Sequence, residues 1–303
     1  MQHFTDAMID GLLDAPSAQT ALVEAFKSFG QGRAAMQPRI RTQSGGVKLS
    51  TLGAVLPVQG YVGAKVYTTI EGQFNFVILL FSATDGKVLA SFDAAAITRL
   101  RTAACSVIAA SYLARKDSRR LALFGLGVQG REHAIQLTAA YALEEIRVCD
   151  PYSSDHAAQE LERACGVKVF RRGAAEAVAG ADIVVTASRS RTPLFGGQQL
   201  AAGVFIAAIG SSLPDTRELD DATLARASLM AVDWKPQTMG EAGDIVLADP
   251  SALPPEKIVE LADLVTGRAS GRSRADEVTI YKAVGVGLQD VALAGLAWER
   301  HRR

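Results

Sequence analysis

The run LALFGLGVQGREHAIQLTAAYAL, residues 121–143, limits what this chain can fold into more than any other stretch. An apolar segment with strand character runs into Gly125, Gly127 and Gly130, and these open a helix. Gly125 permits the tight turn, Gly127 lets backbone N–H groups approach a phosphate, and Gly130 lets helix and strand pack closely. The N-terminus of the helix adds partial positive charge at the same place. Glycines at this spacing are weak evidence by themselves. Here a second strand, EEIRVCD, ends in Asp150, 20 residues beyond Gly130, where a carboxylate meets ribose hydroxyls. Strand, turn, helix and acidic residue together predict a dinucleotide cradle. Asp150 repels a 2′-phosphate, and Pro151 and Tyr152 add no cation, so NAD(H) is expected in preference to NADP(H).

Strand and helix patterns alternate through 121–125 with 128–142, 145–150 with 153–165, 167–170 with 174–179, 182–187, 203–209 and 228–233. They predict an α/β fold with a doubly wound parallel sheet, the Rossmann arrangement. Upstream, residues 6–30 carry apolar positions at helical spacing, interrupted by Pro16 and closed by Gly30 and Gly32. From Val47 to Phe92, short apolar or alternating runs separated by Gly60, Glu71-Gly72 and Asp85-Gly86 predict an antiparallel sheet. Residues 93–115, free of Gly and Pro, predict a helix leading into the second domain. The final helix, in GVGLQDVALAGLAWERHRR, falls outside the α/β rhythm and is expected to pack back on the first domain. The expected division is 1–115 with 285–303, and 116–284. The polar run 267–277 reads as a flexible connection.

Hydrophobic residues make up 49% of 303 positions, enough for a large core. Lys+Arg and Asp+Glu both total 32, so no charge excess attracts nucleic acid or an anionic membrane surface. A small soluble molecule is the expected partner. Cys105, Cys149 and Cys165 and the scattered histidines lack disulfide or metal-ligand spacing, so neither feature is expected. With no signal-like N-terminus and no uncharged stretch of about 18 residues, a cytoplasmic location is expected.

Two cations stand in apolar surroundings. Lys65 lies in YVGAKVYTT, where the sheet either desolvates it or lets it snorkel to the surface. Arg101 lies in a helix of mostly Ala, Leu, Ile and Val, which calls for an anionic partner, either a carboxylate of the fold or one of a ligand. Arg39 and Arg41, in QPRIRTQ, either face the same pocket or are solvated loop charges.

The stretches QPRIRT, GAKVYT, TRLRTAA, FGLGVQGREHA, AVAGADIVVTA, AAIGSSLPDTREL, VDWKPQTMGEAGDI and YKAVGVGLQD recur in this order in one family. On them the chain resembles the ornithine cyclodeaminase and μ-crystallin family along nearly its whole length. The resemblance implies an N-terminal α/β domain, completed by the C-terminal helix, that binds substrate and forms a homodimer, beside a Rossmann domain that binds NAD(P). It makes Arg41, Lys65 and Arg101 the group that receives a substrate α-carboxylate, with Arg39 less suited. It adds Thr102, Val128, Gln129, Ser188 and Ile209 to the cofactor contacts of Gly125, Gly127, Gly130 and Asp150.

One departure bears on the reaction. Where the cyclodeaminases place an aspartate that handles amine and water, this chain has Ser212, with Asp215 following in a Pro-Asp pattern shared with μ-crystallin-like ketimine reductases. Reduction of a preformed cyclic imine needs a carboxylate clamp, a hydride and one proton, and no such base. The resemblance therefore implies reduction of cyclic ketimine carboxylates to an α-amino acid. Ornithine cyclodeamination, alanine dehydrogenation or acyclic imino acid reduction, and NADPH and small-ligand binding without catalysis are the alternatives.

Overall fold

The computed structural model covers residues 1–303 and packs as two compact units, Met1–Cys105 with Gly285–Arg303, and Ser106–Val284. The first division falls inside a helix, Ala95–Leu113, rather than at the expected 115/116, because that helix contributes turns to both cores.

The first unit opens with strand β1 (Gln2–Phe4) and helices α1 (Asp6–Leu12) and α2 (Ala15–Gly30). The break between the helices comes at Leu13-Asp14 and not at Pro16. Asp14 caps α2 by accepting from Ser17 N at 2.8 Å, and Pro16 sits in the first turn, where its missing N–H costs nothing. Strands β2 (Ala35–Met36), β3 (Ile40–Ser44), β4 (Val47–Leu56), β5 (Tyr61–Ile70), β6 (Gln73–Ser82) and β7 (Val88–Asp93) follow, then α3 (Ala95–Leu113). The sheet order is β1-β7-β6-β5-β4-β2, with β3 also paired to β4. Its long hairpins are antiparallel, and β1 joins β7 in parallel. Leu52, Leu56, Ile78 and Leu80 alternate onto one face and are fully buried. The last helix, α11 (Gly287–His301), lies on that face against β4, β5 and α2. A Cβ at Gly287 would stand 2.6 Å from Gly53 O, so the helix rests directly on the sheet backbone.

The second unit is an eight-stranded, wholly parallel sheet. Its strands are β8 (Arg120–Phe124), β9 (Glu145–Cys149), β10 (Lys168–Arg171), β11 (Ile183–Thr186), β12 (Phe205–Ala208), β13 (Ala227–Val232), β14 (Ile258–Glu260) and β15 (Val278–Lys282). Their order is β10-β9-β8-β11-β12-β15-β13-β14. The Rossmann order thus reverses between β8 and β11, and a crevice opens beyond the carboxyl ends of those two strands. Helices α4 (Val128–Ala140), α5 (Asp155–Cys165), α6 (Ala174–Val178), α7 (Asp221–Arg226), α8 (Lys235–Glu241), α9 (Gly243–Val246) and α10 (Leu261–Thr266) complete the unit. The segment 267–277 is pinned rather than loose: Arg272 donates to the carbonyls of Leu113, Val204 and Glu277 and to Thr279 Oγ1. No helix is long and apolar enough to cross a membrane.

Candidate active site

The second unit carries the glycine turn at the end of β8. Gly125 has φ +94°, and a Cβ there would stand 2.6 Å from Ala187 O. A Cβ at Gly130 would stand 1.9 Å from Gly125 O, so neither position admits a side chain. Gly127 differs. A Cβ there meets nothing within 4 Å, and Gly127 caps α4 without any side-chain hydrogen bond. The first N–H groups of a helix have no partner inside it, so this uncapped end beside open space fits a pyrophosphate. Val128 and Gln129 form its first turn, and Gln129 O accepts from His133.

Asp150 lies at the end of β9. Its Oδ2 accepts from Leu126 N at 2.7 Å and its Oδ1 from Tyr152 N at 2.8 Å. The carboxylate fixes the glycine loop to its own turn, and each oxygen keeps a lone pair for a ribose hydroxyl. A cavity of 580 Å³ runs along Gly125, Gly127, Asp150, Ala187 and Ser188. A second, of 450 Å³, shares Asp150 and is bounded by Arg171, Arg172 and Glu176. Arg171 is paired with Asp155 at 2.6 Å, and Arg172 lies over the Phe170 ring.

The wall of this crevice is held by Glu218, which the sequence reading did not single out. Oε1 accepts from Ser188 N and Ser188 Oγ, each at 2.7 Å. Oε2 accepts from Thr186 Oγ1 at 2.8 Å, Gly210 N at 2.9 Å and Ser211 N at 3.1 Å. One buried carboxylate thus ties the loops after β11 and β12, which carry Ser188 and Ile209. Burial raises its pKa above the usual carboxylate range, and Lys282, paired with Asp244 at 2.8 Å, opposes that shift. Ser212 is half-buried on the second loop. Asp215 is at the surface, paired with Arg191 at 2.9 Å, and an exposed, water-screened ion pair is no desolvated base.

In the first unit, Lys65 and Arg101 come together. Lys65 is 2% exposed and Arg101 6% exposed, which removes the snorkelling alternative. Lys65 Nζ donates to Asp290 Oδ1 at 2.8 Å, and Arg101 Nε stands 3.4 Å from the same oxygen. Arg101 Nη1 donates to Gln289 Oε1 at 2.7 Å. A Cβ at Gly285 would come within 2.7 Å of the guanidinium nitrogens, so that glycine makes room for Arg101. Burial lowers the Lys65 pKa to about 7; Asp290 opposes the fall, while Arg101 and Arg39 add to it.

Arg41 lies on β3 opposite Ser50, which pairs with Tyr67, and Lys65 pairs with Leu52. Partners across a sheet and residues two apart share a face, so Arg41 and Lys65 lie on the same one. Arg39 donates to Gly285 O at 2.7 Å, a bond to the fold. Thr102 is buried on α3 with its hydroxyl on Thr98 O. Gln289 and Asp290 went unnoticed in the sequence, although they are the polar pair in the otherwise apolar GLQDVALAGLAW.

Residues 2–303 match the model of the ornithine cyclodeaminase/mu-crystallin family. Ketimine reductase mu-crystallin of Mus musculus is 29% identical over 98% of this chain and 95% of its own length. A crystal structure named as that of a probable ornithine cyclodeaminase from Bordetella pertussis Tohama I is 58% identical, with TM-score 0.98 over 99% of this chain and 97% of that one. The Δ1-pyrroline-2-carboxylate reductase of Thermococcus litoralis, solved with NADH and L-proline, is 26% identical, with TM-score 0.92 over 100% and 98%.

Proposed function

We propose, from the premise that this chain belongs to the ornithine cyclodeaminase/mu-crystallin family, that it reduces cyclic ketimine carboxylates. Δ1-Pyrroline-2-carboxylate and Δ1-piperideine-2-carboxylate are the substrates put forward, giving L-proline and L-pipecolate. The observation that carries the reading is the buried pair of Lys65 and Arg101 sharing one carboxylate, which leaves a positive charge for a substrate anion. Arg101, with Arg41 on the same sheet face as Lys65, receives the α-carboxylate through paired donors. Lys65 has a proton to give the imine nitrogen at neutral pH, because burial brings its pKa to about 7. Gly125, Gly127, Val128, Gln129, Gly130, Asp150, Ser188 and Ile209 fit the cofactor, NADH, which supplies the hydride when bound. The rest of the protein's task is to bind, orient and protonate.

Ornithine cyclodeamination is the second reading, favoured by the name that the Bordetella pertussis relative carries. Against it stands Ser212, which cannot accept a proton as a carboxylate does. Oxidation of NADH with each cyclic imine carboxylate, run beside ammonia release from L-ornithine, separates the two. Imine reduction with little ornithine turnover is expected; robust ammonia release without imine reduction would overturn the proposal.

A further inference from the structure

Asp290 stands in the first turn and a half of α11 and is fully buried. Its Oδ1 lies between two cations, 2.8 Å from Lys65 Nζ and 3.4 Å from Arg101 Nε. Its Oδ2 is buried with no hydrogen-bond partner. A carboxylate so placed is not satisfied as a lone structural acceptor; its place is explained by the two cations it serves. The groups that face Lys65 come from four segments: Asp290 on α11, Arg101 and Thr98 on α3, Arg39 ahead of β3, and the Phe76 ring on β6, 5.2 Å away.

Two of those groups are guanidinium cations, and one is an anion. Without the anion, a buried ammonium beside two guanidinium groups would give up its proton, and the clamp would lose one of its charges. We propose that Asp290 is a positioning residue that keeps Lys65 protonated and side by side with Arg101, so that the pair offers one uncompensated charge to a carboxylate and Lys65 retains a proton to donate. In that donation the Lys65 N–H bond breaks, an N–H bond forms on the imine nitrogen, and neutral Lys65 takes a proton back from water. The inference rests on the carboxylate-clamp reading above, yet its first test needs no turnover.

Full-length protein carrying lysine labelled with ¹³C at Cε reports the Lys65 charge by NMR, with the resonance assigned through Lys65→Arg. In wild type the midpoint is expected near pH 7. Asp290→Asn should move it down by about one to three pH units, the size of a nearby opposite charge. The same variant should raise KM for the imine carboxylate at neutral pH, recover part of it at acid pH, and leave NADH affinity unchanged. An unmoved midpoint in Asp290→Asn overturns the proposal. Should that variant not fold, Asp290→Glu carries the test: it keeps the charge and should hold the midpoint within about half a unit, whereas a fall of about one unit or more refutes the role. A moved midpoint in a protein that reduces no imine would sink the proposed function and leave this inference standing.

Discussion

Arg101→Ala removes a guanidinium around which Gly285 is shaped and leaves Lys65 and Asp290 as a closed pair with no charge to spare. Removing one partner of a desolvated charge pair costs about 2–5 kcal/mol, so kcat/KM for the imine carboxylate should fall by about thirtyfold to several-thousandfold. NADH affinity, read by fluorescence titration, should hold; a variant that loses both, or unfolds, would show Arg101 to be structural. Lys65 adds a pH test. Its folded pKa is lowered from 10.5 to about 7, and the protonated form is the active one, so kcat/KM should be full below about pH 7 and decline above it. Lys65→Arg, permanently charged, should flatten that limb, and a limb that persists would assign it elsewhere. Arg39→Ala should lower Tm more than it raises KM, because Arg39 bonds Gly285 O. Lys65 and Arg101 stood out in the sequence as cations in apolar segments, but their surroundings left their role open, and only the family resemblance implied a shared site. Asp290 is likewise a charge in an apolar segment, but it meets Lys65 across 225 residues of chain, and no local pattern carries that pairing.

The elements proposed to bind cofactor separate function from packing through two glycines. Gly127→Ala meets nothing in the protein within 4 Å and should leave Tm unchanged, while raising the NADH Kd about tenfold, roughly 1.4 kcal/mol, by filling space a phosphate needs. Gly130→Ala, whose Cβ would stand 1.9 Å from Gly125 O, should instead destabilise the whole turn. Equal NADH affinity in Gly127→Ala and wild type would remove the cradle reading. Asp150 argues for NADH at the same scale: its carboxylate stands at the end of β9 beside the glycine turn, where it would repel a 2′-phosphate. A kcat/KM with NADPH equal to or above that with NADH would contradict it. The glycine turn and the alternating strands were legible because 3.6-residue and two-residue periods are local. Strands of two or three residues such as β2 and β14 carry too few side chains for a period to register. The central place of β15 between β12 and β13 is a matter of topology, which the sequence pattern does not encode.

At the scale of the whole molecule, the first unit's sheet has two apolar faces and helices for one. Leu52, Leu56, Ile78 and Leu80 are covered by α11, itself backed by α2, whereas Leu49, Val55 and Val77 on the opposite face are each more than two-fifths exposed. Val62, Val66, Leu79 and Phe81 lie between them in register, so the exposed side chains form one continuous surface. Monomeric proteins rarely leave an apolar patch of that kind to water, and a second copy of the same face is self-complementary about a two-fold axis. The family resemblance independently implies pairing through this domain. Light scattering on the purified protein is expected to give twice the chain mass. Val66 and Val77 are partners across β5 and β6, so Val66→Asp with Val77→Asp places two charges at the centre of the patch and should yield monomers whose far-UV circular dichroism is unchanged. Those monomers should still bind NADH, because the glycine turn belongs to the other unit. A wild-type protein that scatters as a stable, active monomer would leave the exposed face without an occupant and end the dimer proposal.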